Sequence, residues 1–279
     1  MKDFNQRVAV ITGAGSGIGR ALAQQLAAEG CRLALSDINQ EAVESVAADL
    51  RNKGAQVMAD RLDVSDREAF YAYADKVAAE YGSVNLVFNN AGVALGVTVE
   101  QMSYEDFEWM MSINFWGVVY GTKAFLPLLK QADAGHVINI SSLFGLVAVP
   151  TQSAYNAAKF AVRGFTESLR MELELENSNV SCSCVHPGGI KTNIARNARM
   201  HDVSHITGLD SERSINEFEK FFRTTPEQAA ATILNGVRHN KRRILIGSDA
   251  YAIDVLQRAL PALYQRVVAT GQKLQRKRA

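Results

Sequence analysis

The sequence is poor in the features that would announce most other kinds of protein. Its 279 residues include only three cysteines, an odd number, and Cys182 and Cys184 alternate along a strand-like run. Two thiols on one strand face read as buried core groups, not as a disulfide framework or a metal pair. No His, Cys and carboxylate cluster has ligand spacing, so no metal is expected, and His186 reads as a strand-end residue. Charge of one sign is also missing: 30 basic against 29 acidic side chains leave a net charge of +1. That balance excludes a broad electrostatic footprint for nucleic acid or an anionic membrane. Only residues 273–278 form a basic run, and such a run is by default a solvated tail. No apolar stretch approaches the ~18 residues of a membrane span. The chain passes from Met1-Lys2-Asp3 almost directly into Val8–Ile11, without the apolar core of a secretory signal. A reducing, cytoplasmic location is expected.

What is present is an alternation of short β-branched runs with longer helical patterns, the signature of βαβ units and a parallel sheet. The expected strands are Val8–Ile11, Arg32–Ser36, Gln56–Arg61, Leu86–Phe88, His136–Ile140, Val180–Val185 and Arg243–Ile246. Their near-continuous apolar character suits strands covered on both faces. Ser65 to Glu68 reads as a capping box for a helix ending at Gly82, Ser103 with Asp106 opens another helix, and Gly30 and Gly54 stand where C-terminal glycines belong. The expected fold is α/β: a Rossmann-like, doubly wound parallel sheet of about seven strands in a single domain, 1–279. The irregular stretch 193–224 is expected to be a substrate lid or a packed surface helix with Phe218, Phe221 and Phe222 on its apolar face. The tail, 249–279, carries Ile253, Leu256, Leu260, Leu263, Val267 and Val268 at helical spacing, as core or subunit interface, with a kink or restart at Pro261.

The first strand runs into Thr12-Gly-Ala-Gly-Ser-Gly-Ile-Gly19, and a helix begins at once. Glycines let backbone turn tightly and approach a pyrophosphate, and a helix N-terminus offers free N–H groups and a positive dipole end. A glycine cluster alone is weak; strand before and helix after make this one a dinucleotide cradle of Gly13, Ser16, Gly17, Ile18 and Gly19. Asp37 closes the second strand, 18 residues after Gly19. A carboxylate there accepts from both adenosine ribose hydroxyls and repels a 2′-phosphate, while Ser16 and Ile38 bring no compensating cation, so the expected cofactor is NAD. Asp63, after the third strand, either meets the adenine edge together with the Val64 backbone or simply ends the strand.

Tyr155 and Lys159 stand four apart at the start of a long helical pattern, on one face and one turn apart. A free phenol ionises near pH ~10, so acting as a base at neutrality needs about 4 kcal/mol. A lysine charge ~4 Å away at an effective dielectric of ~20 supplies roughly that. The pair alone is common on solvated helix faces. Its company is less common: Ser141-Ser142 ends the fifth strand, Asn89-Asn-Ala-Gly92 ends the fourth, and Asn114 is an amide in an otherwise apolar helix.

With these motifs in order and spacing, the sequence resembles the short-chain dehydrogenase/reductase family: Thr12-Gly-x-x-x-Gly-Ile-Gly19, Asn89-Asn-Ala-Gly92, Asn114, Ser142, Tyr155-x-x-x-Lys159, and Pro187-Gly188 followed by Thr192. The resemblance implies a catalytic tetrad. Tyr155 would be the acid/base, Ser142 would hydrogen-bond the substrate oxygen, and Lys159 would hold the nicotinamide ribose and lower the Tyr155 pKa. Asn114 would fix a water relaying protons through Lys159. Asn90, Ala91 and Gly92 would line the cofactor cleft, and Pro187, Gly188, Ile190 and Thr192 would hold the carboxamide. The implied activity is NAD-linked interconversion of a secondary alcohol and a ketone; the alternative is a silent NAD-binding regulatory protein on the same fold. Ala94, Leu95, Leu143, Phe144, Val147 and Val149 point to a mid-sized apolar substrate. The C-terminal tail departs from the family's glycine-rich ending, which leaves dimer and tetramer equally open for a homo-oligomer.

Overall fold

Seven runs, most of them rich in Val, Ile and Leu, become strands of one sheet that helices cover on both faces. In the computed structural model they are β1 (Val8–Thr12), β2 (Arg32–Asp37), β3 (Val57–Arg61), β4 (Leu86–Asn89), β5 (Gly135–Ile140), β6 (Val180–Pro187) and β7 (Arg243–Ile246). They form one parallel sheet in the order β3-β2-β1-β4-β5-β6-β7. The structure describes residues 1–220 and 222–276, without the side chains of Ser211, Phe218 and Gln275. Phe221, the Phe218 side chain and the end of the basic tail therefore lie outside the described residues.

Every residue of β1 is buried, and alternate residues serve opposite layers, as the two-residue period of a strand demands. Ala9 and Ile11 pack with Leu22 and Leu26 of α1 (Gly17–Ala28) and Ile233 and Leu234 of α9 (Pro226–Arg238). Val8 and Val10 face the other layer. There Phe70 and Val77 of α3 (Arg67–Tyr81), Phe125 and Leu129 of α5 (Gly117–Gln131) and Leu169 of α6 (Ser153–Leu175) close a second core. The strand order reverses between β1 and β4, and open α/β sheets bind ligands at such a switch point, beyond the strand C-termini.

Local stop and start signals hold with one exception. Ser103 caps α4 (Tyr104–Met111), and Gly30, Gly54 and Gly82 take positive φ. Ser65 does not cap α3: its backbone N–H and hydroxyl both donate to Asp63, and Asp66 accepts from the Ala69 N–H instead. A nearer carboxylate won the serine. Pro261 separates α10 (Ser248–Ala259) from α11 (Leu263–Arg276). The stretch 193–224 is anchored, not loose. Arg199 and His201 donate backbone N–H bonds to Ala94 and Gly96, and two short helices follow, α7 (Ser204–Thr207) and α8 (Ser211–Glu219).

Candidate active site

The glycine loop is shaped by contacts that leave no room for side chains. Gly13 and Gly17 sit at φ +64° and +51°, where L-residues are strained, and a Cβ at Gly19 would fall 2.2 Å from the Gly13 carbonyl oxygen. Asn90 ties this loop to the end of β4: its amide donates to the carbonyls of Thr12 (2.9 Å) and Gly13 (3.2 Å). Thr12 Oγ1 answers by accepting from the N–H groups of Asn90 and Ala91. The first turn of α1 then faces a cleft, and the Ser16 side chain makes no cap bond that would satisfy its N–H groups. Asp37 braces the loop from β2 by accepting from the Gly15 N–H at 2.9 Å and the Asn39 N–H at 3.0 Å. Its remaining lone pairs border the cleft. Asn39, not Asp37, caps α2 (Gln40–Arg51).

One cleft of about 740 Å³ gathers Gly13, Ser16, Gly17, Ile18, Asp37, Asp63, Val64, Asn90, Ala91, Gly92, Ser142, Tyr155, Lys159, Pro187, Gly188, Ile190 and Thr192. Thr192 stands across from the glycine loop, its methyl 3.1 Å from where a Gly17 Cβ would be. Two expected residues lie behind the wall. Gly19 is packed under Gly13, and Asn114 is wholly buried. Asn114 sits in a π-helical turn, Ser112–Trp116, the kind of bulge that re-aims a side chain. Its amide oxygen accepts from the Val93 N–H and its amide nitrogen donates to the Val93 carbonyl, both at 2.8 Å. It thus holds the Gly92–Val93 corner directly.

Tyr155 and Lys159 project from the first turns of α6, as their spacing predicts. Ser141 fastens this helix to the end of β5 by donating to the Lys159 carbonyl at 2.8 Å. Ser142 takes the other direction: its hydroxyl accepts from the Phe144 N–H and meets the Tyr155 hydroxyl. Lys159 is buried, donates to the Ile140 carbonyl at 3.1 Å, and stands 5.6 Å over the Tyr155 ring. Burial lowers its pKa to about 8. Burial also raises the Tyr155 pKa, and the Ser142 hydrogen bond only partly offsets this. Burial thus outweighs the hydrogen bond, opposite in direction to the lowering expected from Lys159.

The sequence reading missed Asp249. From the start of α10 its carboxylate reaches under the turn after β6 and accepts from the Gly189 N–H at 2.7 Å. A Cβ at Gly188 would fall 2.2 Å from that carboxylate, which is why the Pro187 turn requires glycine. Of the expected apolar lining, Ala94 and Phe144 border the cleft, but Leu95 and Val147 are buried in the interior. Trp109, Ile113, Gln152 and Phe222 line it instead, brought there from elements whose partners are distant in sequence. No group of three or more His, Cys, Asp and Glu side chains that could hold a metal ion occurs among the described residues.

A cradle, a paired Ser-Tyr hydroxyl couple and a buried lysine at the switch point of a seven-stranded parallel sheet define a dinucleotide-linked oxidoreductase site. The short chain dehydrogenase family model matches residues 7–202. The chain belongs to the short-chain dehydrogenase/reductase family and is an oxidoreductase of that family. It is 50% identical to SadH of Mycobacterium tuberculosis over 272 residues, 97% of each protein. It is 34% identical over 251 residues to a C alpha-dehydrogenase of Sphingobium sp., covering 88% of this chain and 82% of that one. Among solved structures it is similar to a short-chain dehydrogenase/reductase from Burkholderia phymatum in complex with NAD, at TM-score 0.87 and 31% identity, covering 95% and 97% of the two chains.

Proposed function

We propose that the protein interconverts a secondary alcohol and a ketone with NAD(H), on a mid-sized apolar substrate. The convergence of Ser142, Tyr155 and Lys159 beside the glycine cradle carries this reading. Ser142 and the Tyr155 hydroxyl give a substrate oxygen a two-point grip. Tyr155 Oη moves the proton, accepting it from a substrate hydroxyl on oxidation and donating it to a carbonyl oxygen on reduction. The charge on Lys159 stabilises the phenolate whenever that forms, and Asn114 keeps the Gly92 wall in register. In balance, alcohol and NAD⁺ give ketone, NADH and one proton, the bound dinucleotide supplying the hydride acceptor, or the donor in reverse.

NAD is favoured over NADP by charge. Among the described residues Lys159 is the only lysine or arginine lining the cleft, while Asp37 and Asp63 are carboxylates. A 2′-phosphate near Asp37 would meet repulsion with no compensating cation. The stretch 193–224 serves as the substrate cover in this reading, supported by Asn193, Ala195 and Phe222 on the cleft wall. Three buried free cysteines fit a reducing, cytoplasmic setting, and no described helix is long and apolar enough to cross a membrane. The exposed apolar side chains of the tail support a homo-oligomer.

The test is NADH oxidation over a panel of ketones and aldehydes, by wild type and Tyr155→Phe. Turnover that falls by about 100-fold or more in the variant is expected. Turnover that survives in Tyr155→Phe sinks the mechanism. NADH binding with silence across the panel points to a cofactor-sensing protein instead.

A further inference from the structure

Beside the main cleft lies a second cavity of about 240 Å³. The two share Ala94, Phe144, Gln152 and Ala195, so the second adjoins the first along these residues. The shared residues are at the reacting end of the cleft. The Phe144 ring stands edge-on to the Tyr155 ring with centroids 6.1 Å apart, whereas the glycine loop borders only the main cleft. Three of these four residues are apolar, and Gln152 adds a single amide. Beyond them the lining is more apolar than polar, with Val149, Ala198, Met200, Val203, Leu209 and Ile215, and Glu217 is its one charged side chain among the described residues.

This chamber also gives the unusual tail a local task. Tyr264 of α11 is buried and its hydroxyl accepts from the Ala148 N–H at 3.1 Å, bracing the wall that carries Val149. Further along α11, Gln272 lines the chamber and Arg276 packs on Gly208 at the end of α7. The tail helix and the 193–224 cover thus both contribute to the chamber walls.

Resting on the alcohol/ketone reading above, we infer that this side chamber receives the hydrocarbon tail of the substrate: the protein acts on secondary alcohols or ketones that carry an alkyl chain on the reacting carbon. A largely apolar chamber adjoining the acid/base end of the cleft rewards each methylene it removes from water, and a short or strongly polar substrate leaves it unfilled.

The test is kcat/KM for the 2-alkanol series from 2-butanol to 2-dodecanol with NAD⁺, in wild type, Ala198→Phe and Val149→Phe. These two variants narrow the chamber from separate walls, and NADH titration checks that each has folded. In wild type kcat/KM is expected to rise about three- to fourfold per methylene until the chamber is full. In both variants the 2-decanol to 2-butanol ratio is expected to fall at least tenfold. A flat wild-type series, or a ratio unmoved in both variants, overturns the inference and leaves the alcohol reading standing. If no alkanol or alkanone turns over, calorimetric titration with 2-decanone separates the two ideas. Binding that weakens in the variants keeps the chamber and removes the alcohol reading; no binding to wild type overturns both.

Discussion

At the scale of single residues, legibility followed sequence distance. Tyr155 and Lys159 are four apart on one helix, so their partnership needs only the helical repeat. Asp249 and Gly189 are joined by a 2.7 Å hydrogen bond across 60 residues, and no local pattern announces that. The bond nonetheless sets the turn on which Pro187 and Gly188 depend. In Asp249→Ala the Gly189 N–H loses a charged acceptor, a loss of about 1.5–3 kcal/mol. NADH affinity by fluorescence titration should fall about tenfold or more, and Asp249→Asn, which keeps an acceptor oxygen, should recover most of it. Equal affinity in Asp249→Ala and wild type would mean that the turn holds its shape unaided.

At the scale of elements, the central strands could be read from unbroken apolar runs because both of their faces are buried. The partly buried edge strands β3 and β7 could be read from their place in the alternation of strand and helix. What could not be read is how polar residues inside those strands are satisfied. His136 of β5 donates through Nε2 to Ser183 Oγ on β6 at 2.8 Å, and that hydroxyl donates onward to the Lys241 carbonyl. His186 of β6 donates through Nδ1 to the Ser142 carbonyl at 2.9 Å, tying β6 to Ser142 at the cleft. Burial pushes these imidazoles down to about 3 and about 4. Above pH 6.5 both are neutral in folded and unfolded chains alike and contribute no slope. As the pH falls below 6.5 the unfolded chain takes up protons that the folded one refuses, so stability falls with pH until the folded values are reached. Each histidine should cost about 2 kcal/mol between pH 6.5 and 5. Denaturant unfolding of His136→Gln at both pH values should show roughly half of the histidine-linked loss. An unchanged acid slope would place the sensitivity in other groups.

At the scale of the whole molecule, the tail shows how one segment satisfies two demands that its sequence could not separate. Apolar residues at helical spacing predict burial, but not against what. In the structure Ala250 and Tyr264 turn inward, while Val255, Leu263 and Val267 are 65%, 50% and 58% exposed. Leu263 and Val267 stand one turn apart on α11 and so share a face. One side of the helix braces the side chamber through Tyr264, and the other presents aliphatic surface to solvent. Exposed aliphatic surface of this kind fits contact with a second copy of the chain. Leu263→Glu combined with Val267→Glu should therefore lower the molar mass by light scattering, with NADH binding preserved because the glycine cradle lies elsewhere. An unchanged mass would move the interface off the tail, toward the exposed Trp116 and Phe160. A lower mass accompanied by loss of the long-chain alkanol preference would show that assembly also holds the chamber wall in place, linking subunit contact to substrate choice through α11.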